Sequence, residues 1–309
     1  MKNLSDELKN TLKKPKYNKT YKEIVNSVLN DVTIKQFIKD HSNELNDSSV
    51  NHSMSKLFEF VKENNKLKNN EATTIPGFEP ILVVNNGMID ISYVPTNEQK
   101  EKIKLKKIKK RITTVSIPKS IRDAGINDFD YKENNSRILA MRRISLFIRD
   151  YDESPKKWHQ GTFLTGRFGV GKTFLMGAMA NELAKKGHLV SFIHFPTFVE
   201  EMKKMISNDG FFKSVDSIKK SPILIIDDIG SESMSSWVRD NILGIIMDFR
   251  MQNTLPTFFT SNLTMDEFEE FLSENNKGDE EPLQAKRIMQ RVRFLSKEVE
   301  IGGRNRRPQ

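Results

Sequence analysis

From about residue 133 onward, apolar positions fall into two alternating patterns. Short, nearly unbroken apolar runs at 161–165, 189–195, 222–227, 256–261 and 297–301 read as strands. Between them, apolar residues recur at three- and four-residue spacing, which predicts helices near 172–186, 196–207, 235–252, 264–274 and 282–295. A further helix over Ser136 to Tyr151 precedes the first strand, with Ile138, Leu139, Met141, Ile144, Phe147 and Ile148 apolar. Thr264 followed by Glu267 has the spacing of a capping box. Strands apolar on both faces, separated by helices, predict an α/β fold whose parallel sheet is flanked by helices.

The first third of the chain is patterned differently. Ile24, Val25, Val28 and Leu29, then Ile34, Phe37 and Ile38, then Leu57, Phe58 and Val61 have helical spacing in a lysine- and asparagine-rich background. These predict a small set of amphipathic helices. Ile81 to Val84 and Met88 to Val94 flank Asn85-Asn86-Gly87 and read as a β-hairpin, with Pro76, Pro80 and Pro95 at its ends. The expectation is a smaller, mainly helical N-terminal domain carrying a hairpin. Pro118 and Gly125 then interrupt periodicity, so a linker is expected over 106–132.

At 309 residues the chain suits two domains, and a 37% hydrophobic content suits a core in part of it. The net charge of +9 is compatible with nucleic acid or acidic protein partners. Between Lys100 and Arg111, eight basic residues alternate with Ile103, Leu105 and Ile108, a pattern that suits a solvated helix face or one turned to nucleic acid. With no cysteine, disulfides and thiolate metal sites are excluded. No run approaches about 18 apolar residues and the N-terminus has no apolar signal core, so a cytoplasmic location and no membrane contact are expected.

The chemistry is concentrated in Gly166-Arg167-Phe168-Gly169-Val170-Gly171-Lys172-Thr173. This is a phosphate-binding loop, set between a strand and a helix. Glycines let several backbone N–H groups converge on one anion, and the following helix adds its positive end. Lys172 is expected at the β- and γ-phosphates of ATP, and Thr173 at Mg2+. Ile223-Leu224-Ile225-Ile226-Asp227-Asp228-Ile229-Gly230 places two carboxylates at the end of a buried strand. Asp227 is the expected Mg2+ ligand and Asp228 the general base for the attacking water. Asn262, after the strand of Thr257 to Ser261, suits a γ-phosphate or water sensor, although an asparagine there also suits a plain turn. Lys286, Arg287, Arg291 and Arg293 share one predicted helix. Arg287 is the candidate to act on a neighbouring subunit's nucleotide, with Arg291 and Arg293 as competitors; a solvated or nucleic-acid face is the alternative.

Weaker signals complete the reading. The five histidines lack metal-ligand spacing, and His194 reads as a core or edge residue. Trp158 and Trp237 read as packing residues. Phe211 and Phe212 follow a loop-like Asn208-Asp209-Gly210 and suit packing or stacking on single-stranded bases. Arg304, Arg306 and Arg307 read as a disordered basic end or a phosphate contact.

The phosphate loop, Asp227-Asp228-Ile229-Gly230, Thr260-Ser261-Asn262 and a late arginine helix, in this order, resemble the AAA+ ATPases. The D-D-I-G form and the lysine-rich helical N-terminal region, with Gly77-Phe78-Glu79-Pro80 before the hairpin, resemble the DnaC/DnaI-type helicase-loader branch. That resemblance implies a helicase-binding domain at 1–105, the linker at 106–132 and an AAA+ ATPase domain at 133–309. It implies a primosomal ATPase that places the hexameric replicative DNA helicase on DNA, binds single-stranded DNA and assembles as a homo-oligomer. Loaders of this type can carry a cysteine-based zinc site in the N-terminal domain; with no cysteine here, no zinc is expected. The competing expectations are an AAA+ helper of a transposase and a P-loop small-molecule kinase.

Overall fold

The computed structural model of the chain describes residues 23, 25–115, 119–206, 210–232, 234–274 and 281–306. Ile24, Pro118, Asn208, Asp209 and Arg307 of the sequence reading lie outside the described residues. The chain divides into two compact units, Met1–Lys104 and Leu105–Gln309.

In the first unit, residues 25–29 are helical and are followed by helices Val32–Asp40, Asp47–His52 and Met54–Lys68. Strands β1 (Phe78–Asn85) and β2 (Met88–Pro95) form an antiparallel hairpin. Its two-residue turn has positive φ at both Asn86 (51°) and Gly87 (73°), which an Asn-Gly pair tolerates better than other residues. Val28, Ile34, Leu45, Leu57, Phe60, Leu82 and Ile89 form the core, with Leu29, Phe37, Ile38 and Val61 packed against it. Polar staples supplement this small core. The Ile89 N–H donates to the Ser53 hydroxyl at 2.9 Å. The buried Glu63 carboxylate accepts from Thr74 N–H at 2.8 Å, the Thr74 hydroxyl at 2.9 Å and Lys66 at 2.7 Å. These three donors pull the Glu63 carboxyl down to about 2, the Lys66 bond first. The helix Asn97–Lys109 then carries the basic run and buries no residue.

The second unit is a three-layer α/β structure. Its six strands are β3 (Ile112–Val115), β4 (Gly161–Thr165), β5 (Val190–His194), β6 (Ile223–Ile229), β7 (Thr257–Ser261) and β8 (Ser296–Glu300), in the order β3-β5-β6-β7-β4-β8. All neighbours are parallel. Residue parity divides the core between the faces, as a pleated strand requires. Phe163, Ile193, Leu224, Ile226 and Phe259 join one apolar cluster, and Leu164, Phe192, Ile223, Ile225 and Phe258 join the other. Helices Asn135–Glu153 and Lys172–Lys186 contribute to the second cluster, and Phe195–Lys204, Gly210–Lys219, Met265–Ser273 and Pro282–Leu295 to the first.

Several local features depart from the sequence reading. Residues 106–132, expected as a linker, include the edge strand β3, paired with β5 from Ile112↔Val190 to Val115↔Ile193. Four residues flanked by lysines and a proline are too short a run for periodicity to separate from a linker. The helix expected over 235–252 contains a π-helical stretch, Arg239–Gly244, between Ser236–Val238 and Ile245–Gln252. Phe211 and Phe212 sit in the helix Gly210–Lys219, where Phe211 is buried against Trp237 while Phe212 is 72% exposed. The capping box at Thr264 and Glu267 is formed.

Candidate nucleotide site

The phosphate loop joins β4 to the helix Lys172–Lys186 at the C-terminal edge of the sheet, between strands that run on to opposite sides. Open parallel sheets offer a ligand crevice at such a point. Gly166 (φ 147°) and Gly169 (φ 75°) need glycine twice over. Their backbone angles disfavour any side chain, and a Cβ would run into the Ile301 carbonyl in the first case and the Asn305 amide in the second. Gly171 opens the helix at φ 103°. Val170 is buried, whereas Arg167 and Phe168 are exposed.

Lys172 is 7% exposed. Its ammonium donates to Gly166 O at 2.6 Å, Arg167 O at 3.0 Å and Asn262 Oδ1 at 2.7 Å. The loop and the end of β7 thus hold a buried cation through three oxygens, and its charge also helps to lower the Asp228 carboxyl. A phosphate at the loop would add charge-assisted hydrogen bonds to this ammonium. Asn262 also donates through Nδ2 to Asp228 Oδ1 at 3.2 Å, so one amide bridges the cation and the second carboxylate.

Asp227 and Asp228 are consecutive on β6, and a regular strand would send them to opposite faces. The strand is irregular here: its register against β7 shifts between Ile226 and Ile229, and Asp228 takes φ 59°, a left-handed conformation that aspartate tolerates. Both carboxylates consequently line the same cleft. Thr260 fixes the distortion, accepting from Asp228 N–H at 2.9 Å and donating to Asp227 Oδ1 at 2.6 Å.

The two carboxyls have opposite electrostatics. Burial pushes the Asp227 carboxyl up, against hydrogen bonds from Thr260 and Thr173. The His194 imidazole, whose Nε2 is 3.8 Å from Asp228 Oδ2, holds Asp228 below the usual carboxylate range. The same contact, opposed by burial, raises the His194 imidazole, and Thr197 orients its Nδ1 at 2.9 Å. Asp227 and Thr173 are hard oxygen donors in hydrogen-bond contact, and burial opposes the carboxylate's charge. This donor set fits Mg2+, because a divalent cation reverses that opposition. His194 is therefore not the core or edge residue its sequence position predicts. It pairs in register with Asp227 on the neighbouring strand, a placement that only the strand order reveals.

Across the cleft is a wall that no motif announces. Arg137, on the helix Asn135–Glu153, is 1% exposed. It donates to Asp130 O at 2.5 Å, Val170 O at 2.6 Å and Gly302 O at 3.3 Å, and lies 4.4 Å over the Phe129 ring. One guanidinium therefore ties together the segment before the helix, the phosphate loop and the C-terminal segment. That segment packs against the phosphate loop and Glu133. Arg304 N–H donates to Glu133 Oε1 at 3.0 Å, Arg306 N–H donates to Gly169 O at 2.9 Å, and the Arg306 guanidinium pairs with Asp130 and Glu133. The cleft enclosed by the two walls has a volume of about 770 Å³, within the range of small-molecule sites.

The candidate arginines lie elsewhere. Arg287 lines a different, shallower groove with Asp240, Asp248 and Arg291. Arg291 pairs with Asp248 at 2.8 Å, and Arg293 with Asp266 at 2.8 Å and Glu269 at 2.5 Å. Arg287 is exposed and has no ion pair among the described residues.

Residues 1–93 match the family described as primosomal protein DnaI N-terminus, and residues 90–309 match the IstB-like ATP binding protein family. The chain is 31% identical over 299 residues to the replicative helicase loader DnaI of Bacillus subtilis (strain 168), covering 95% of each. It is 25% identical over 144 residues to the replicative helicase loader DnaC of Escherichia coli (strain K12), covering 46% of this chain and 57% of that one. A crystal structure of DnaI aligns at 38% identity and a TM-score of 0.54, covering 65% of this chain and all of that one. A putative primosome component from Streptococcus pyogenes serotype M3 aligns at 40% identity and the same TM-score of 0.54, over 65% of this chain and 97% of that one. The chain belongs to the DnaI family of replicative helicase loaders, with an IstB-like ATP-binding region built on an AAA+-type parallel sheet.

Proposed function

We propose that the protein is an ATP-dependent loader of the replicative DNA helicase, acting during initiation of chromosome replication. The observation that carries this reading is a 31% match running along 95% of both chains, because it includes the N-terminal third as well as the ATP-binding region. The match of residues 1–93 to a primosomal N-terminus disfavours the transposase helper. In this reading, residues 1–105 bind the helicase ring and 133–309 form the ATPase domain, while 106–132 connect them and lend the edge strand β3 to its sheet.

The roles of the site residues follow from chemistry. The phosphate loop binds the triphosphate through its N–H groups and Lys172, whose present carbonyl partners are exchanged for phosphate oxygens. Thr173 and Asp227 would hold Mg2+, which would offset the charge of the phosphates. Asp228, ionised beside His194, accepts the proton of the attacking water. Asn262 bridges Lys172 and Asp228, so it is placed to relay the state of the γ-phosphate to the base. Bound ATP supplies a phosphoryl group whose transfer to water switches partner contacts. Arg287 acts in trans across an assembled homo-oligomer. Arg291 and Arg293 are engaged in ion pairs within their own chain, which favours Arg287 among the three. The basic helix Asn97–Lys109 and the exposed Phe212 are candidate contacts for single-stranded DNA. No helix among the described residues is long and apolar enough to cross a membrane, in keeping with work in the cytoplasm.

Co-purification with the replicative helicase, with and without ATP, tests the assignment. Capture of the ring by the full chain, changed by ATP, is expected. A chain that binds ATP and ignores the helicase under both conditions would contradict the loader reading.

A further inference from the structure

The phosphate-loop pattern fixes Gly166, Gly171, Lys172 and Thr173 and leaves position 169 open. The glycine found there meets the C-terminal segment. Beyond β8, residues Ile301 to Arg306 run along the loop, and two backbone bonds bracket its first half. Ile301 N–H donates to Thr165 O at 2.8 Å, and Arg306 N–H donates to Gly169 O at 2.9 Å. Between these points the segment takes the space that side chains would need, with the Ile301 carbonyl beside Gly166 and the Asn305 amide beside Gly169. A second set of bonds ties the segment to the chain around the start of the Asn135–Glu153 helix. Gly302 N–H donates to Ser136 Oγ at 2.8 Å, Arg304 N–H donates to Glu133 Oε1 at 3.0 Å, and the Arg306 guanidinium pairs with Asp130 and Glu133. The Arg306 bond leads the causes that hold the Asp130 carboxyl down, and the Arg304 N–H leads those for Glu133. The two ends of the segment are held unequally. Ile301 is fully buried, whereas the Arg306, Asp130 and Glu133 side chains keep 24%, 47% and 27% exposure. Partly exposed ion pairs are individually weak in water, so the Arg306 end is the one that can release.

We propose that Ile301–Arg306 is a positioning strap for the phosphate loop, holding Thr165 to Gly169 in the shape that captures phosphate, so that strap docking and nucleotide binding reinforce each other. This rests on the reading of the cleft as an ATP site. The strap acts through the loop backbone, and Asp130, Glu133 and Arg306 are its positioning residues. A glycine-rich stretch has much conformational freedom to lose when it closes on an anion. A docked strap removes that freedom beforehand, which raises affinity by preorganisation. Coupling of this kind is reciprocal: the factor that docking adds to nucleotide affinity is the factor that bound nucleotide adds to docking.

Hydrogen exchange and calorimetric titration of the full chain with Mg–ADP test the proposal, comparing the parent with Glu133→Gln and Arg306→Gln. Each variant removes the ion pair at the Arg306 end and keeps every backbone donor. Both are expected to bind Mg–ADP about fivefold more weakly, the size of ordering about one loop residue on binding. Without nucleotide, exchange should quicken at residues 166–171 and 302–306 together and stay at the parent rate in β6 and β7. In the parent, saturating Mg–ADP should slow exchange at 302–306. In steady-state hydrolysis the variants should raise KM for ATP by the same factor, with the deficit recovered at saturating ATP. Should Glu133→Gln fail to fold, Arg306→Gln decides alone. Parent-like affinity with quicker exchange confined to 302–306 would overturn the proposal, because the loop would then keep its shape without the strap. Quicker exchange through β6 and β7 as well would also overturn it, marking the ion pair as a general support of the fold. A parent chain that takes up no Mg–ADP would overturn the ATP reading itself, a result distinct from either.

Discussion

The two walls of the cleft solve different electrostatic problems. The wall formed by β6 and β7 gathers negative charge. Asp227 and Asp228 face the same cavity only because the strand is distorted at Asp228, and one is opposed by burial while the other is relieved by His194. The other wall balances charge, its two arginines set against Asp130 and Glu133. Arg137 and Arg306 fasten three separate chain segments through carbonyl oxygens and surface carboxylates. The first wall is built for chemistry at a phosphate, so its groups sit in unlike environments. The second is built to hold a shape, so its arginines bind backbone carbonyls and carboxylates of separate segments. Substitutions in the two walls are therefore expected to separate hydrolysis from binding and stability.

The largest separation is expected at Asp228. Asp228→Asn removes the proton acceptor and keeps the bond to Asn262 within reach, so ATP hydrolysis should fall by about a thousandfold while ATP affinity stays near the parent. Steady-state phosphate release together with calorimetry checks this; hydrolysis at the parent rate would remove Asp228 as the base. Lys172→Ala should weaken ATP binding by about a hundredfold, since a buried cation at the phosphates disappears. Direct titration measures it, and parent-like affinity would contradict the phosphate assignment.

Arg137→Met tests the second wall. It keeps much of the volume and removes every hydrogen bond of the guanidinium, leaving three carbonyls to find other partners. A loss of about 3 kcal/mol in chemical denaturation is expected, with the phosphate loop and the C-terminal segment loosened together. Asp228→Asn should leave that denaturation curve nearly unmoved. Equal losses in the two variants would erase the distinction between the walls.

The smallest predicted effect lies in the N-terminal unit, where the Glu63 carboxylate accepts from Thr74 and Lys66. Its carboxyl is drawn down to about 2 from an ordinary 4.5. A depressed acid stabilises the fold above the unfolded value and loses that contribution as pH falls through the folded one. Acid unfolding of the N-terminal unit should therefore respond to Glu63 between about pH 4.5 and about pH 2. Glu63→Gln should flatten that response, followed by circular dichroism during acid titration; an unchanged profile would contradict the staple.

The first wall was legible in the sequence because its groups come as contiguous motifs. A phosphate loop between strand and helix, and two aspartates after four apolar residues, declare themselves without any knowledge of strand order. The second wall was not, because Phe129, Arg137, Gly302 and Arg306 are brought together by β8 and the Asn135–Glu153 helix. An arginine on an amphipathic helix reads as solvent-facing, and a run of arginines near the C-terminus reads as a loose basic end. His194 is opaque in the sequence for the same reason: its meaning comes from pairing with Asp227 across β5 and β6. Periodicity predicted the larger sheet well because its strands are apolar on both faces. It missed β3, whose four residues include two exposed threonines.

The most direct test of the whole account is titration of the folded full chain with ATP, in magnesium and in a chelator. The account predicts one saturable site that tightens markedly with magnesium, since Asp227 and Thr173 need the cation to offset burial. No uptake of ATP in either condition, or affinity indifferent to magnesium, would contradict it.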